Sequence, residues 1–372
     1  MPRGFFIFLA VALAILFGFQ YFLYFSATRL LGIRGRSGLT ILAATLLLLM
    51  AGAIGSVFLQ SRVDSCLARA VAGFFQLFLG FGLTLAVTFF LAWIVWIPGR
   101  ALNPRLSSVP FGWSAIVLAT AFSAYGVWNA THPQITRVTV SMRDLPPEWR
   151  GKTIAQISDL HLGFSVGRSF AEHVVDMVNA EHPALVVITG DLFDGDDHGL
   201  DRFAATLDRL RSPLGTYFIT GNHETYVGVD LVESALRKTS VRVLTDEMVT
   251  LDGLQLIGIA YPLRGEHKDI AAAIRGIQGF DPAKPSVLLC HSPVQIAQTK
   301  ATGVRLELSG HTHRGQLFPF EFITRRVYGK YDHGLNVEDG YAIYTSVGAG
   351  TWGPRMRTSA RAEIAIIRLE PM

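Results

Sequence analysis

Charge is nearly missing from one third of this 372-residue chain. Residues 1–135 hold no Lys, no Glu and a single Asp, Asp64. Eight arginines (Arg3, Arg29, Arg34, Arg36, Arg62, Arg69, Arg100 and Arg105) give that stretch a net charge of +7. The remainder carries 25 basic and 28 acidic residues, a net −3, so the overall +4 averages two unlike parts. The positive excess sits between apolar runs and forms no basic face, which argues against a nucleic-acid binder. With 50% hydrophobic residues the chain is not intrinsically disordered either. Cysteine is scarce as well. Cys66 and Cys290 allow at most one disulfide, and the absence of any CxxC spacing removes a cysteine zinc site and a dithiol redox site. No Walker GxxxxGK[ST] motif and no GxSxG elbow occurs.

What the first third does contain is apolar runs. Residues 4–25, 39–59 and 71–97 are uncharged and long enough to cross a hydrocarbon core, which takes roughly 20 helical residues. Residues 112–130 form a shorter fourth run with Ser and Thr in it. The arginines fall in the gaps between runs, and Trp93, Trp96, Trp113 and Trp128 lie near run ends, as interfacial aromatics do. The first run exceeds the apolar length of a secretory signal and is followed by three others, so it reads as an uncleaved span. These features predict an all-α bundle of about four transmembrane helices over 1–135, in an integral, multi-pass protein of the cell membrane. Arginine counts in the loops do not fix which face carries the rest of the chain. No acidic, basic or His residue lies mid-run, so the spans read as an anchor within the lipid bilayer rather than a transport pathway.

From residue 136 to 372 the pattern changes to short β-rich runs alternating with helical ones. Strands are expected at 154–158, 184–189, 215–220, 254–259, 286–289, 305–309, 341–347 and 363–369, and amphipathic helices at 170–180, 200–210 and 229–237. This alternation predicts an α/β domain, with two packed β-sheets flanked by helices. The residues after successive strands share one chemistry. They are Asp159 and His161; Gly190, Asp191 and Asp194; Gly221, Asn222, His223 and Glu224; His291; and Gly310, His311 and His313. Strand C-terminal ends in such sheets face one crevice, so the groups converge although about 155 positions separate them. Oxygen donors mixed with imidazoles suit two divalent transition ions such as Mn, Fe, Zn or Co, whereas an all-oxygen set would favour Ca or Mg. Such a pair needs a bridging carboxylate, and would clamp a phosphoryl group and lower the pKa of a water.

The ordered series Asp159-x-His161, Gly190-Asp191-x-x-Asp194, Gly221-Asn222-His223-Glu224, His291 and Gly310-His311-x-His313 resembles the calcineurin-like metallophosphoesterase family. The turn His311–Gln316 and the tail from Tyr341, with its Pro354-Arg355, resemble its membrane-associated bacterial branch. The resemblance spans about 136–369 and leaves out the apolar third. It implies that Asp159, His161 and His313 bind one metal ion, that Asn222, His291 and His311 bind the other, and that Asp191 bridges them. It further implies that His223 is a non-ligand catalytic histidine that protonates the leaving oxygen. Asp194 is expected to orient a histidine, the alternative being a solvated loop acid beside Asp196 and Asp197. Glu224 stands where many relatives carry Asp, and Arg314 either reaches a phosphate or faces solvent.

Two other segments need a reading. Residues 348–353 satisfy GxGxxG, but Pro354 follows and too little chain remains for a βαβ unit, so this is a turn and not a dinucleotide site. The run 317–322 (LFPFEF), followed by Arg325 and Arg326, reads first as a strand of the second sheet. The alternative is an apolar rim meeting the membrane or an acyl chain. Together these point to a membrane-anchored, metal-dependent phosphoric ester hydrolase. Its expected substrate is a lipid or lipid-linked phosphodiester or pyrophosphate, since a membrane tether concentrates the enzyme only on partners at the same surface. The alternatives are a phosphomonoesterase or protein phosphatase, and a non-catalytic metal-binding scaffold.

Overall fold

The computed structural model describes residues 3–60, 65–194 and 199–372; Arg62, Asp64, Asp196, Asp197 and His198 lie outside the described residues. The chain divides into two compact units, Met1–Val127 and Trp128–Met372. In the first, α1 (Arg3–Leu30), α2 (Arg36–Gln60), α3 (Cys66–Leu102) and α4 (Val109–Thr131) follow one another. Each contains at least 21 residues of a hydropathy and length sufficient to cross a membrane. Many of their large apolar side chains point outward, among them Ile15, Leu48, Phe58 and Val117. A helix apolar all round is what a lipid solvent permits and water does not.

The second unit consists of two six-stranded sheets. The first contains β1 (Gln134–Met142), β2 (Thr153–Ile157), β3 (Leu185–Thr189), β4 (Thr216–Ile219), β5 (Val241–Val243) and the late strand β12 (Glu363–Pro371). Its order is β1-β12-β2-β3-β4-β5, parallel throughout except between β12 and β2. The second is built from β6 (Glu247–Leu251), β7 (Leu254–Ile259), β8 (Ser286–Cys290), β9 (Leu306–Ser309), β10 (Gly334–Glu338) and β11 (Tyr341–Thr345), in the order β10-β11-β9-β8-β7-β6. Alternation along each strand sorts the residues into layers. Leu185 and Val187 meet Leu254, Leu256, Val287, Leu289, Leu306 and Leu308 between the sheets. Val186 and Ile188 face the other way, onto α5 (Arg168–Ala180), α6 (Leu200–Leu207) and α8 (Val229–Leu236). Ile257, Leu288 and Ile343 likewise pack outward against α9 (Ile270–Gly276) and α10 (Ile296–Lys300). The result is an α/β/β/α sandwich, as the sequence pattern predicts.

Buried Gln156 ties the two sheets together beneath the strand ends. Its amide donates to Thr189 Oγ1 (3.0 Å) in the first sheet and to the Ser309 carbonyl (2.8 Å) in the second. One expectation fails. Residues 317–322 form no strand; Leu317 is buried, Phe318–Pro319 is a cis peptide, and the chain enters α11 (Glu321–Tyr328). A proline inside the run removes the ladder donor that a strand there would need.

Candidate metal centre

The strand ends carry the site. β2, β3 and β4 deliver Asp159 and His161, Asp191, and the pair Asn222–His223 at the start of the short helix α7 (Asn222–Val227). From the second sheet β8 delivers His291, and β9 delivers His311 and His313. Asp159, His161, Asp191, His311 and His313 all have positive φ, between 48° and 72°. Left-handed backbone at non-glycine residues is costly, and its concentration at five residues on three strand-end turns marks a geometry enforced by the surrounding fold.

Among the described residues three groups of metal-compatible side chains result, each with its donor atoms within 4.8 Å of one another: Asp159, His161 and His313; Asp191, His291 and His311; and His161, Asp194 and His223. In the first, His313 Nε2 lies 3.0 Å from His161 Nε2 and 3.3 Å from Asp159 Oδ1. In the second, His291 Nε2 lies 3.3 Å from Asp191 Oδ2, 3.1 Å from His311 Nδ1 and 3.2 Å from Asn222 Oδ1. Asp191 Oδ2 also approaches His161 Nε2 (3.9 Å), so this carboxylate stands between the two groups. The sequence-expected residues are thus brought together, Asn222 included.

The electrostatics fit divalent cations. Burial would raise the Asp159 and Asp191 carboxyls, but His313 beside the first and His291 beside the second hold both well below the ordinary carboxylate range. Burial and the His313 charge hold His161 down to about 3, and burial together with His291 holds His311 down to about 4. His313 is also lowered by burial, while Asp191 pushes His291 up against its own burial, to about 9. With both carboxylates ionised and His161, His311 and His313 held neutral, most of the ligand set is deprotonated before any ion arrives, and His291 releases its proton when an ion binds. His291 Nδ1 donates to the Thr189 carbonyl (2.8 Å), which fixes the tautomer that leaves Nε2 free to ligate.

His223 behaves differently. Its Nδ1 lies 3.1 Å from Asp194 Oδ1, and its Nε2 is 4.0 Å from Asp191 Oδ2, at the border of the cluster. Burial opposes its protonation, but the Asp194 hydrogen bond and the Asp191 charge prevail and raise its pKa. Asp194 itself is lowered, its burial outweighed by that same bond, so an ionised carboxylate accepts from His223 Nδ1. Asp194 is therefore a half-buried partner of His223 and not a solvated loop acid.

Several residues hold the ligands in place in ways the sequence did not show, although Glu224 and Gly310 stand in the strand-end series itself. Buried Glu224 accepts four backbone N–H bonds, from Asp191 (3.0 Å), Leu192 (2.9 Å), Phe193 (3.0 Å) and Gly221 (2.6 Å), and so fastens the Asp191 loop to the Asn222 loop. Burial and the Asp191 charge push it up, to about 7, against the pull of those donors. Arg357 is fully buried, with Nη2 3.0 Å from His313 Nδ1 and 2.6 Å from the Val347 carbonyl. The GxGxxG turn packs on the site. Ala349 and Gly350 donate to the Ser158 and Asp159 carbonyls, and a Cβ at Gly350 would collide with the Leu160 carbonyl. At Gly310 a Cβ would strike Ser158 Oγ and Asp159 Oδ2, so this glycine lets the His311 turn close over the ligand carboxylate. The only sequence signal for these residues was glycine or charge beside the motifs.

A cavity of about 410 Å³ opens over the cluster, lined by Asp191, Asn222, His223, His311 and His313 and rimmed by Tyr226, Phe320, Ile323 and Trp352. Arg314 is half-buried and does not line it. A second cavity of about 420 Å³ reaches His291 and His311 from the side of Tyr261 and Lys268. Tyr328 stands between the two and lines both.

Residues 152–315 match the model of the calcineurin-like phosphoesterase family. An uncharacterized metallophosphoesterase of Campylobacter jejuni is 33% identical over 275 residues, 70% of each chain. The chain belongs to the calcineurin-like metallophosphoesterases. A transmembrane protein with metallophosphoesterase domain from Bos taurus is 33% identical over 303 residues, covering 74% of this chain and 67% of that protein. An uncharacterized metallophosphoesterase of Helicobacter pylori is 35% identical over 242 residues, and the match spans 64% of each chain. The metallophosphoesterase domain of the present chain is thus joined to four helices of membrane-spanning length, and its candidate metal ligands stand on the strand ends of the family's matched region.

Proposed function

We propose that this protein is an integral, multi-pass enzyme of the cell membrane that hydrolyses a phosphodiester or pyrophosphate bond in a lipid or lipid-linked substrate, using two divalent ions of the Mn, Fe, Zn or Co type. The observation that carries the reading is the junction at Asp191, whose carboxylate lies between the Asp159–His161–His313 group and the His291–His311 group. Asp159, His161 and His313 would hold one ion, Asn222, His291 and His311 the other, with Asp191 shared. Ions bound there supply positive charge to the phosphoryl oxygens and a water acidified to near neutral pH. His223 delivers the proton: Asp194 holds its Nδ1, which leaves the Nε2 proton for the leaving oxygen. The Asp194 hydrogen bond favours that protonated form against the burial of the ring.

The substrate class is argued from the surroundings. No Lys or Arg lines the cavity over the cluster among the described residues, which suits a diester better than the doubly charged monoester. The rim of Tyr226, Phe320, Ile323 and Trp352 is apolar, and the four long helices hold the domain at a bilayer. Asp191→Ala and His223→Ala are expected to abolish Mn-dependent hydrolysis of a chromogenic diester while leaving the fold intact, the second by roughly 10²–10⁴-fold. Activity retained in either variant at wild-type level would refute the assignment.

A further inference from the structure

Helix α11 has its amphipathic pattern reversed. Its half-buried positions are Glu321, Thr324 and Tyr328, which lie on one side at helical spacing. Its apolar residues are the exposed ones: Phe322 is 63%, Ile323 59% and Val327 67% accessible. At about 100° per residue these three sweep an arc of about 140°, with Arg326 inside it and exposed Arg325 about 60° beyond Phe322. Neither arginine has a carboxylate partner among the described residues. A helix on a water-soluble domain buries its apolar face; here that face is left exposed, and through Ile323 it runs on into Phe320 and Trp352 at the cavity rim.

We infer that the outer face of α11 is an interfacial membrane-binding element, which seats on an anionic bilayer surface and brings the cavity mouth to the headgroup plane. Three large apolar side chains with Arg326 among them and Arg325 flanking them match acyl boundary and lipid phosphate together, a pairing that a protein surface offers less well. The four membrane-length helices keep the domain within reach of such a surface at high effective concentration, so a short helix of modest intrinsic affinity suffices. The inference rests on the membrane-substrate reading for its purpose, though its test does not depend on it.

The full chain is reconstituted in nanodiscs containing about one third anionic lipid, with a nitroxide at Val327→Cys or, as control, at exposed Lys284→Cys. Docking predicts that the label at 327 loses access to a water-soluble nickel chelate several-fold and gains access to oxygen, while 284 does not. Arg325→Gln with Arg326→Gln should restore chelate access at 327. Equal access at both positions overturns the proposal, and low access of both reagents at 327 overturns it in favour of a protein neighbour. Separately, Phe322→Ser with Val327→Ser should lower hydrolysis of a bilayer-borne phosphodiester roughly tenfold and leave a soluble diester unaffected. If the wild type cleaves no lipid phosphoester, the substrate reading falls and the label alone decides the docking.

Discussion

Glu224→Gln is a one-atom change with a calculable outcome. In the native site both carboxylate oxygens accept two backbone N–H bonds each, Oε1 from Leu192 and Phe193 and Oε2 from Asp191 and Gly221. A glutamine keeps one accepting oxygen. Its amide nitrogen, whichever way it turns, faces two N–H donors that it cannot satisfy. Above pH 7, where Glu224 is ionised, two hydrogen bonds to a charged acceptor are lost, at roughly 1.5–3 kcal/mol each. The expected cost is therefore about 3–6 kcal/mol, a large part of the stability of an ordinary domain. For a unit of this size even the lower figure corresponds to a fall of roughly 6–12 °C in the melting midpoint. Because the two loops carry Asp191 and Asn222, Mn affinity should fall about 10–100-fold in parallel. A melt followed by thiol labelling reads the soluble unit alone: Cys290 is buried in it, and Cys66→Ser leaves that thiol as the sole reporter. Calorimetric titration gives the metal affinity. A variant melting within about 1 °C of the parent and binding Mn within about twofold would show that the four bonds do not organise the site.

A pH effect is expected from Glu307, buried in β9 and pushed by burial to about 7 from an ordinary 4.5, with Tyr341 and Ser309 donating to it. Between those values the folded unit keeps a proton that the unfolded chain releases, so stability falls as pH rises, by about 3 kcal/mol in total, and levels off above pH 7. Glu307→Gln should remove its share of the slope in tryptophan-fluorescence melts at pH 5 and pH 7, leaving the share of Glu224, which is raised to a similar value; equal slopes in both proteins would refute it. Metal should stabilise the folded unit: at about 100 times the dissociation constant the gain is about 2.7 kcal/mol, or roughly 5–11 °C. A melt indifferent to Mn and to chelator would argue against the cluster as a metal site.

The sandwich and the strand ends were legible because both rest on local signals. Runs such as 184–189 are apolar on both faces, as only a doubly covered strand is, and Asp or His at successive strand ends is a pattern carried by spacing. Gln156, Glu224 and Arg357 were not legible as structural anchors. Each is an ordinary polar residue whose partners are backbone groups or side chains that come near only after folding. β1 went unassigned since its partner β12 lies more than 200 residues away, beyond any local pattern. Residues 317–322 misled for a different reason. Their apolar alternation has the period of a strand with a buried face, whereas the apolar side chains of α11 are exposed, so the rule linking pattern to burial did not hold there.

The position of β12 also bears on how the enzyme is made. This strand lies between β1 and β2, pairing with one in parallel and the other antiparallel. All the candidate ligands, through His313, leave the ribosome before residues 363–371 do. On the proposed topology the apolar helices enter the bilayer before the domain is made, and the domain then has a gap in its sheet until residues 363–371 are synthesised. A nascent chain halted after His313 would hold every ligand and still lack the strand that joins β1 to β2. Maturation is thereby tied to completion of the polypeptide, and stalled fragments left in the membrane are expected to be targets for proteolysis rather than stray hydrolases.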